Sequence, residues 1–165
     1  AVGGYDENFV CGEDVELSLR LQQADAVSRF IPEAHVYHKR RATLKQFRRQ
    51  VFRFGAARPL LAKAHPGNLK LTHLFPLVFT LYRYLTAIFA VLGIFYFHNS
   101  LFAMPFAPYV FYMFAVFLTA LRHEGLAVAL RVVQTTNTMN EGYGIGFLRN
   151  FIEVYLKGNP KGIKL

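Results

Sequence analysis

Residues 71–121 carry a single formal charge, Arg83, in a stretch that is otherwise almost wholly apolar or aromatic. The polar triplet His98-Asn99-Ser100 divides it into two runs, 71–97 and 101–121. Each run is long enough to cross a hydrocarbon core of about 30 Å. With so short a connection, the two are expected to form a transmembrane helical hairpin. Pro105 and Pro108 fall near the start of the second run. An arginine in lipid is costly unless it faces protein, water or headgroups, so Arg83 is expected toward the cytoplasmic side of the first span. Tyr82, Tyr84, Tyr96, Tyr109 and Tyr112 suit membrane–water boundaries.

The charge is laid out in blocks. Residues 1–33 hold seven acids and two bases, whereas residues 34–70 hold ten bases and no acid. The net charge of +9 is therefore a local basic block, suited to phosphate groups or an anionic membrane surface. Nucleic acid is not expected as a partner, because lipid headgroups lie nearer to a basic block beside two membrane spans. The excess of Lys and Arg places residues 39–70 in the cytoplasm, and Arg122 returns the chain there. The expected location is the cell membrane, in a multi-pass arrangement. Cys11 is the sole cysteine, so there is no internal disulfide, which fits a reducing compartment. No signal peptide is recognisable. The opening Ala1-Val2-Gly3-Gly4 reads like the end of a strand entering a turn, as in a fragment that begins inside a domain whose sheet the preceding residues would complete.

The chemistry-bearing residues lie near the front. Gly3-Gly4 marks a turn where backbone bends or approaches a ligand closely, and Asp6-Glu7 follows at once. Gly12-Glu13-Asp14 precedes a run rich in Glu, Leu, Arg, Gln and Ala, which predicts a helix despite the alternation of Val15, Leu17, Leu19 and Leu21. Its two i,i+4 stripes predict burial between layers. Glu13 and Asp14 fall at its N-terminus, where acids also have an ordinary explanation in capping and the helix dipole. Residues 28–31 and 34–38 read as short strands separated by Pro32, the second ending at His38. Thr43 and Gln46 match a capping box. After it Leu44, Phe47, Val51 and Phe54 form an apolar face opposite Lys45, Arg48, Arg49 and Arg53. That pattern predicts a basic amphipathic helix lying in the membrane interface. Beyond residue 121, residues 126–133 are too short to span and 134–140 are polar. A helix is expected over 143–155, with an Arg149–Glu153 pair, interfacial or packed on the hairpin, followed by a loose basic cytoplasmic tail. A short third membrane segment stays open.

Three motifs occur in order: Gly3-Gly4-Tyr5-Asp6-Glu7-x-Phe9, then Gly12-Glu13-Asp14-Val15-Glu16-Leu17-x-x-Arg20-Leu21, then Phe30-x-Pro32-x-Ala34-x-Val36-x-His38. Together they resemble the C-terminal half of the catalytic domain of membrane-bound family-two glycosyltransferases, inverting enzymes of the GT-A fold. The resemblance covers about the first third of the chain. Gln50-Val51-Phe52-Arg53-Phe54 is similar to the Gln-x-x-Arg-Trp motif of polysaccharide synthases, with Phe in place of Trp. Asp25 stands where the family usually has Gly, and the donor-nucleotide half, with its Asp-x-Asp motif, is expected ahead of Ala1.

The resemblance implies an α/β fragment, the C-terminal part of a GT-A, Rossmann-like domain, followed by a helical membrane region. It divides the chain into residues 1–42 (catalytic), 43–70 (basic interface helix and linker), 71–121 (hairpin) and 122–165 (interfacial helices and tail). Asp14 would be the general base and Glu13 would hold or polarise the acceptor region. His38 would bind a divalent metal, magnesium or manganese, or the diphosphate. Gly3, Gly4, Asp6 and Gln50 would contact substrates, and Arg40, Arg41 and Arg53 are, apart from the resemblance, candidates for contacts to the pyrophosphate. The implied partners are a nucleotide-sugar donor, a lipid-linked or glycan acceptor and the membrane, with the catalytic part cytoplasmic. The competing reading is a non-catalytic, membrane-anchored module whose basic helix grips anionic lipid. An enzyme requires Asp14 and His38 to face one open cleft beside the Gly3-Gly4 turn; an anchor requires no such convergence.

Overall fold

The computed structural model describes residues 2–38, 42–159 and 161–162. Among them there is no β-strand, which overturns the expectation of an α/β, Rossmann-like fragment. The reason lies in residues 26–38. They run extended or in turns with every side chain exposed, Val27, Phe30, Val36 and Tyr37 nearly fully so. A strand exists only by pairing, and these backbone groups meet no neighbouring strand. Local turns replace the ladder: the Ala34 N–H donates to Ile31 O at 3.1 Å.

Five α-helices carry the described chain: α1 (Glu13–Gln23), α2 (Leu44–Ala64), α3 (Leu71–Phe97), α4 (Ala107–Glu124) and α5 (Leu126–Phe151). Thr43 caps α2 as expected, its Oγ1 accepting from the Gln46 N–H at 3.2 Å, but the reciprocal bond differs, since Gln46 Oε1 accepts from the Ala42 N–H at 3.3 Å, one residue before the cap. Helix α5 differs from expectation. It continues without a break through polar residues 134–140, then widens into one π-type turn over Ile152–Leu156. The hydroxyls of Thr135 and Thr138 bond back to carbonyls one turn earlier, so these side chains stay within the helix. Glu153 pairs with Lys157 at 2.7 Å, while Arg149 lies over the Phe52 ring. The described part of the tail is not loose, since Gly162 packs on Asn150 and its carbonyl accepts from Asn159 Nδ2 at 2.6 Å.

Helix α5 is the element on which the others assemble. It packs closely against α2, α3 and α4. Along α2 the approach is backbone to backbone, because glycines on each helix face the other helix. A Cβ on Gly55 would collide with the Tyr143 carbonyl, one on Gly146 with the Phe52 carbonyl, and one on Gly142 would stand 2.6 Å from Val51 Cγ2. On its other side, a Cβ on Gly144 would stand 2.7 Å from the Pro76 carbonyl of α3. The buried residues of α2 are therefore Val51, Gly55, Ala56, Ala57, Pro59 and Leu61, with Phe54 47 % exposed. Of the expected face, Val51 is buried and Phe54 is not, and the closest approach to α5 runs through the small residues Gly55 and Ala56.

Helix α3 and the segment Ser100–Glu124 are each long and apolar enough to cross a membrane. Their connection is short, as expected, but the second run begins with a 3₁₀ stretch, Ser100–Phe106, that folds back along α3. Phe102 packs on Gly93, and Tyr82 Oη donates to the Pro105 carbonyl. Helix α4 thus starts beside Phe79, whose ring meets those of Tyr109 and Tyr112 at 5.7 and 5.3 Å. Both apolar helices then pack on α5 in preference to each other.

Gly146→Ala tests the close approach of α2 and α5. Helix propensity alone would raise stability by about 1 kcal/mol. Overpacking against a carbonyl that cannot swing aside costs about 1–3 kcal/mol or more. A net fall in melting temperature in detergent is expected; a melting temperature at or above that of the parent contradicts the packing.

Candidate functional site

Helix α1 docks on the C-terminal half of α2 through a small core of Phe9, Ala57 and Leu61, lined by Cys11, Val15 and Leu19. The expected burial between layers is not seen, as Leu17 and Leu21 remain half-exposed. Gly12 precedes the helix at φ 83°, a left-handed conformation that glycine adopts without strain, and its Cα faces Ala57 and Leu61. This turn sends Glu13 and Asp14 to two sides of Phe54.

On one side is a cleft of about 420 Å³, lined by Glu13 and Cys11 together with Gln46, Arg49, Gln50 and Arg53 of α2. Three residues singled out in the sequence, Glu13, Gln50 and Arg53, thus meet at one opening although nearly forty residues separate the first two. Residues 46, 49, 50 and 53 share a helical face, which brings two guanidiniums and two amides to the cleft that Glu13 also lines. Burial, with Glu13 close by, pushes the Cys11 thiol up, so it stays protonated. On the other side, Asp14 lines a second cleft of about 260 Å³ with Arg58 and Tyr143. Asp14 is exposed, and its Oδ1 accepts from the Val15 N–H at 2.9 Å. Arg58 and Tyr143 were not singled out in the sequence, because nothing local marks them; α2 and α5 bring them together.

The Gly3-Gly4 turn is held by a device that sequence reading missed. Gly3 and Gly4 adopt φ 85° and 78°. Arg20 reaches back from α1 to donate to the carbonyls of Val2 and Gly4, the latter at 2.6 Å. Arg20 is itself fixed by Glu16, one helical turn earlier, in a forked pair with N–O distances of 2.6–2.9 Å. Glu16 is 3 % exposed, and its other contact is His65 Nε2 at 3.1 Å, just past the end of α2. One buried carboxylate therefore ties the glycine turn, α1 and α2 together. The available signal was the Glu16/Arg20 i,i+4 spacing.

Other expected site residues lie apart. Asp6 accepts from the Asn8 N–H at 2.9 Å and lines a separate cleft of about 320 Å³ with Lys63 and Lys161. His38 is exposed on the extended segment and does not line the Glu13–Arg53 cleft. Arg40 and Arg41 lie outside the described residues. Among the described residues no group of three or more His, Cys, Asp or Glu could hold a metal ion, so His38 has no described companion ligands for the expected metal.

The family model described as glycosyl transferase family group 2 matches residues 1–121. Two curated relatives, each called pre-mycofactocin glycosyltransferase, come from Mycobacterium tuberculosis strains CDC 1551 / Oshkosh and ATCC 25618 / H37Rv. Each is 44 % identical over 68 residues, which is 41 % of this chain and 14 % of the relative. No solved structure matches.

The Glu16 carboxyl is held below its ordinary range, first by its hydrogen bonds from Arg20. A depressed carboxyl contributes stability that is present above its unfolded value, about 4.3, and is lost as pH falls through the folded value. Glu16→Gln should therefore cost about 1–3 kcal/mol at neutral pH. The gap between variant and parent should close as the medium is acidified below about pH 4. Chemical denaturation at a series of pH values measures it; a gap independent of pH refutes the ionic role.

Proposed function

Because the chain belongs to glycosyl transferase family group 2, we propose that it is part of a membrane-bound enzyme that moves a sugar from a nucleotide-sugar to a lipid-linked or polysaccharide acceptor, with inversion. The observation that carries this reading within the chain is the meeting of Glu13, Gln50 and Arg53 at one cleft, with Asp14 beside it across Phe54. In this reading the acceptor hydroxyl attacks the anomeric carbon of the donor. A carbon–oxygen bond forms, the bond to the nucleoside diphosphate breaks, and the hydroxyl proton passes to the Asp14 carboxylate. Charge grows on the departing diphosphate, and the guanidiniums of Arg49 and Arg53, or of Arg58 on the Asp14 side of Phe54, are placed to stabilise it. Glu13 orients the acceptor region and Gln50 offers an amide to sugar hydroxyls. Arg20, pinned by Glu16, keeps the Gly3-Gly4 turn beside α1.

A divalent metal would supply further charge stabilisation to a leaving diphosphate. The described residues do not form a set of ligands for it, and no step above depends on one. The two helices long and apolar enough to cross a membrane support an acceptor delivered at the membrane. The competing picture, a lipid-binding anchor without catalysis, gives no reason for a carboxylate, two amides and two guanidiniums to converge.

In the full-length protein, Asp14→Asn should lower turnover by about 10²–10⁴-fold. Donor binding should be kept, because the amide can still accept from the Val15 N–H. Steady-state transfer assays with donor binding by calorimetry separate the two effects. Near-normal turnover by a folded Asp14→Asn protein rejects Asp14 as the base.

A further inference from the structure

Two neighbouring pockets that share Leu44 form a groove between the start of α2 and α5. Lys45 and Arg48 of α2 line one part of it and Arg131 of α5 the other, with Leu44 common to both and Phe47 beside it. The two parts measure about 290 and 510 Å³. Arg48 is committed to Glu141 at 3.0 Å, and Glu141 is shared with Arg83, so the one carboxylate in the groove is neutralised. The side chains of Lys45 and Arg131 are different. Both are exposed and neither has a hydrogen-bond or ion-pair partner among the described residues. They come from helices far apart in sequence and line neighbouring pockets that meet at Leu44.

We propose that this groove binds the phosphate headgroup of an anionic membrane lipid. Three observations select that occupant. The unpaired charge in the groove is cationic on both helices. Its apolar members, Leu44 and Phe47, give it the two-sided chemistry of a headgroup with its first acyl carbons. It adjoins Glu141, and through the Glu141–Arg83 pair at 2.8 Å it adjoins α3, a helix long and apolar enough to span a bilayer. A soluble phosphate would use the cations and leave Leu44 and Phe47 in water; a lipid uses both. The site is independent of the sugar-transfer reading, because none of its residues lines the Glu13–Arg53 cleft.

The test uses the full-length protein purified in a neutral detergent, with the double variant Lys45→Gln, Arg131→Gln. Neither side chain has a partner to lose among the described residues, and matching melting temperatures confirm that the variant folds. Native mass spectrometry counts retained dioleoylphosphatidylglycerol, with dioleoylphosphatidylcholine as the zwitterionic control and inorganic phosphate at millimolar concentration as competitor. The parent should retain the anionic lipid, and the variant should bind it roughly ten- to thirtyfold more weakly, since each lysine or arginine near an anionic lipid surface contributes appreciably. The control lipid should be unaffected by the substitutions. Equal retention of the anionic lipid by parent and variant overturns the proposal. Displacement of the lipid by inorganic phosphate also overturns it, in favour of a soluble phosphate ligand.

Discussion

Glu141 is the interaction on which the arrangement depends. Its Oε1 takes the Arg48 guanidinium of α2 at 3.0 Å and its Oε2 that of Arg83 in α3 at 2.8 Å. Arg83 is the sole formal charge in a 51-residue apolar stretch, residues 71–121, and an unpaired guanidinium there would be expensive. The carboxylate on α5 removes that cost. Asn137, one turn earlier on α5, adds a contact to Arg83 at 3.2 Å and accepts from Tyr109 Oη of α4 at 2.7 Å. Removing Glu141 would leave Arg83 buried against protein without a counter-charge, which is why such a pair fixes register more than it adds net stability.

The glycines of α5 make this pairing possible. A carboxylate can serve two helices at once only where both backbones come close, and side chains at positions 142, 144 and 146 would hold them apart. Register set by charge at residue 141 is continued by shape at the next five residues. Asn150 Nδ2 donating to the Ala56 carbonyl, and Lys63 Nζ donating to the Val154 carbonyl at 3.2 Å, extend the same alignment toward the end of α2. Helix α2 is thereby fixed against α5 along its inner face, while its outer face carries Gln46, Arg49, Gln50 and Arg53. A rigid helix with one face anchored beside α3 and the other facing a polar cleft couples the position of the candidate site to the apolar helices.

The Glu16 cluster completes the same chain of contacts at the other end of α2. His65 follows the last turn of α2 and touches the carboxylate that holds Arg20, and Arg20 holds the glycine turn. Two buried or half-buried carboxylates, Glu141 and Glu16, therefore tie α2 to α5 and α3 near its start and to α1 and the glycine turn at its end. Neither was singled out as a site residue in the sequence, where acids next to the Gly3-Gly4 and Gly12 turns drew attention instead.

The sequence by itself determined the helices. Local propensity decides a segment such as 13–23, the Thr43/Gln46 pair stops and starts backbone within four residues, and runs as apolar as 71–97 carry their length and composition on their face. It also pointed to the family, because motif spacing is a linear property. What it could not determine was which residues face each other. The strands expected at 28–31 and 34–38 needed partners from elsewhere, and alternation alone cannot supply a ladder. The polar stretch 134–140 carried no expectation of a helix, yet its threonines bond within the helix and its Asn137 serves Arg83. Of the apolar face expected on α2, Val51 is buried and Phe54 is not, and the closest approach to α5 runs through Gly55 and Ala56. The meeting of Glu13 with Gln50 and Arg53, and the separation of Asp6 and His38 from them, are tertiary facts, because distance in space between residues on different helices is set by packing rather than by spacing along the chain.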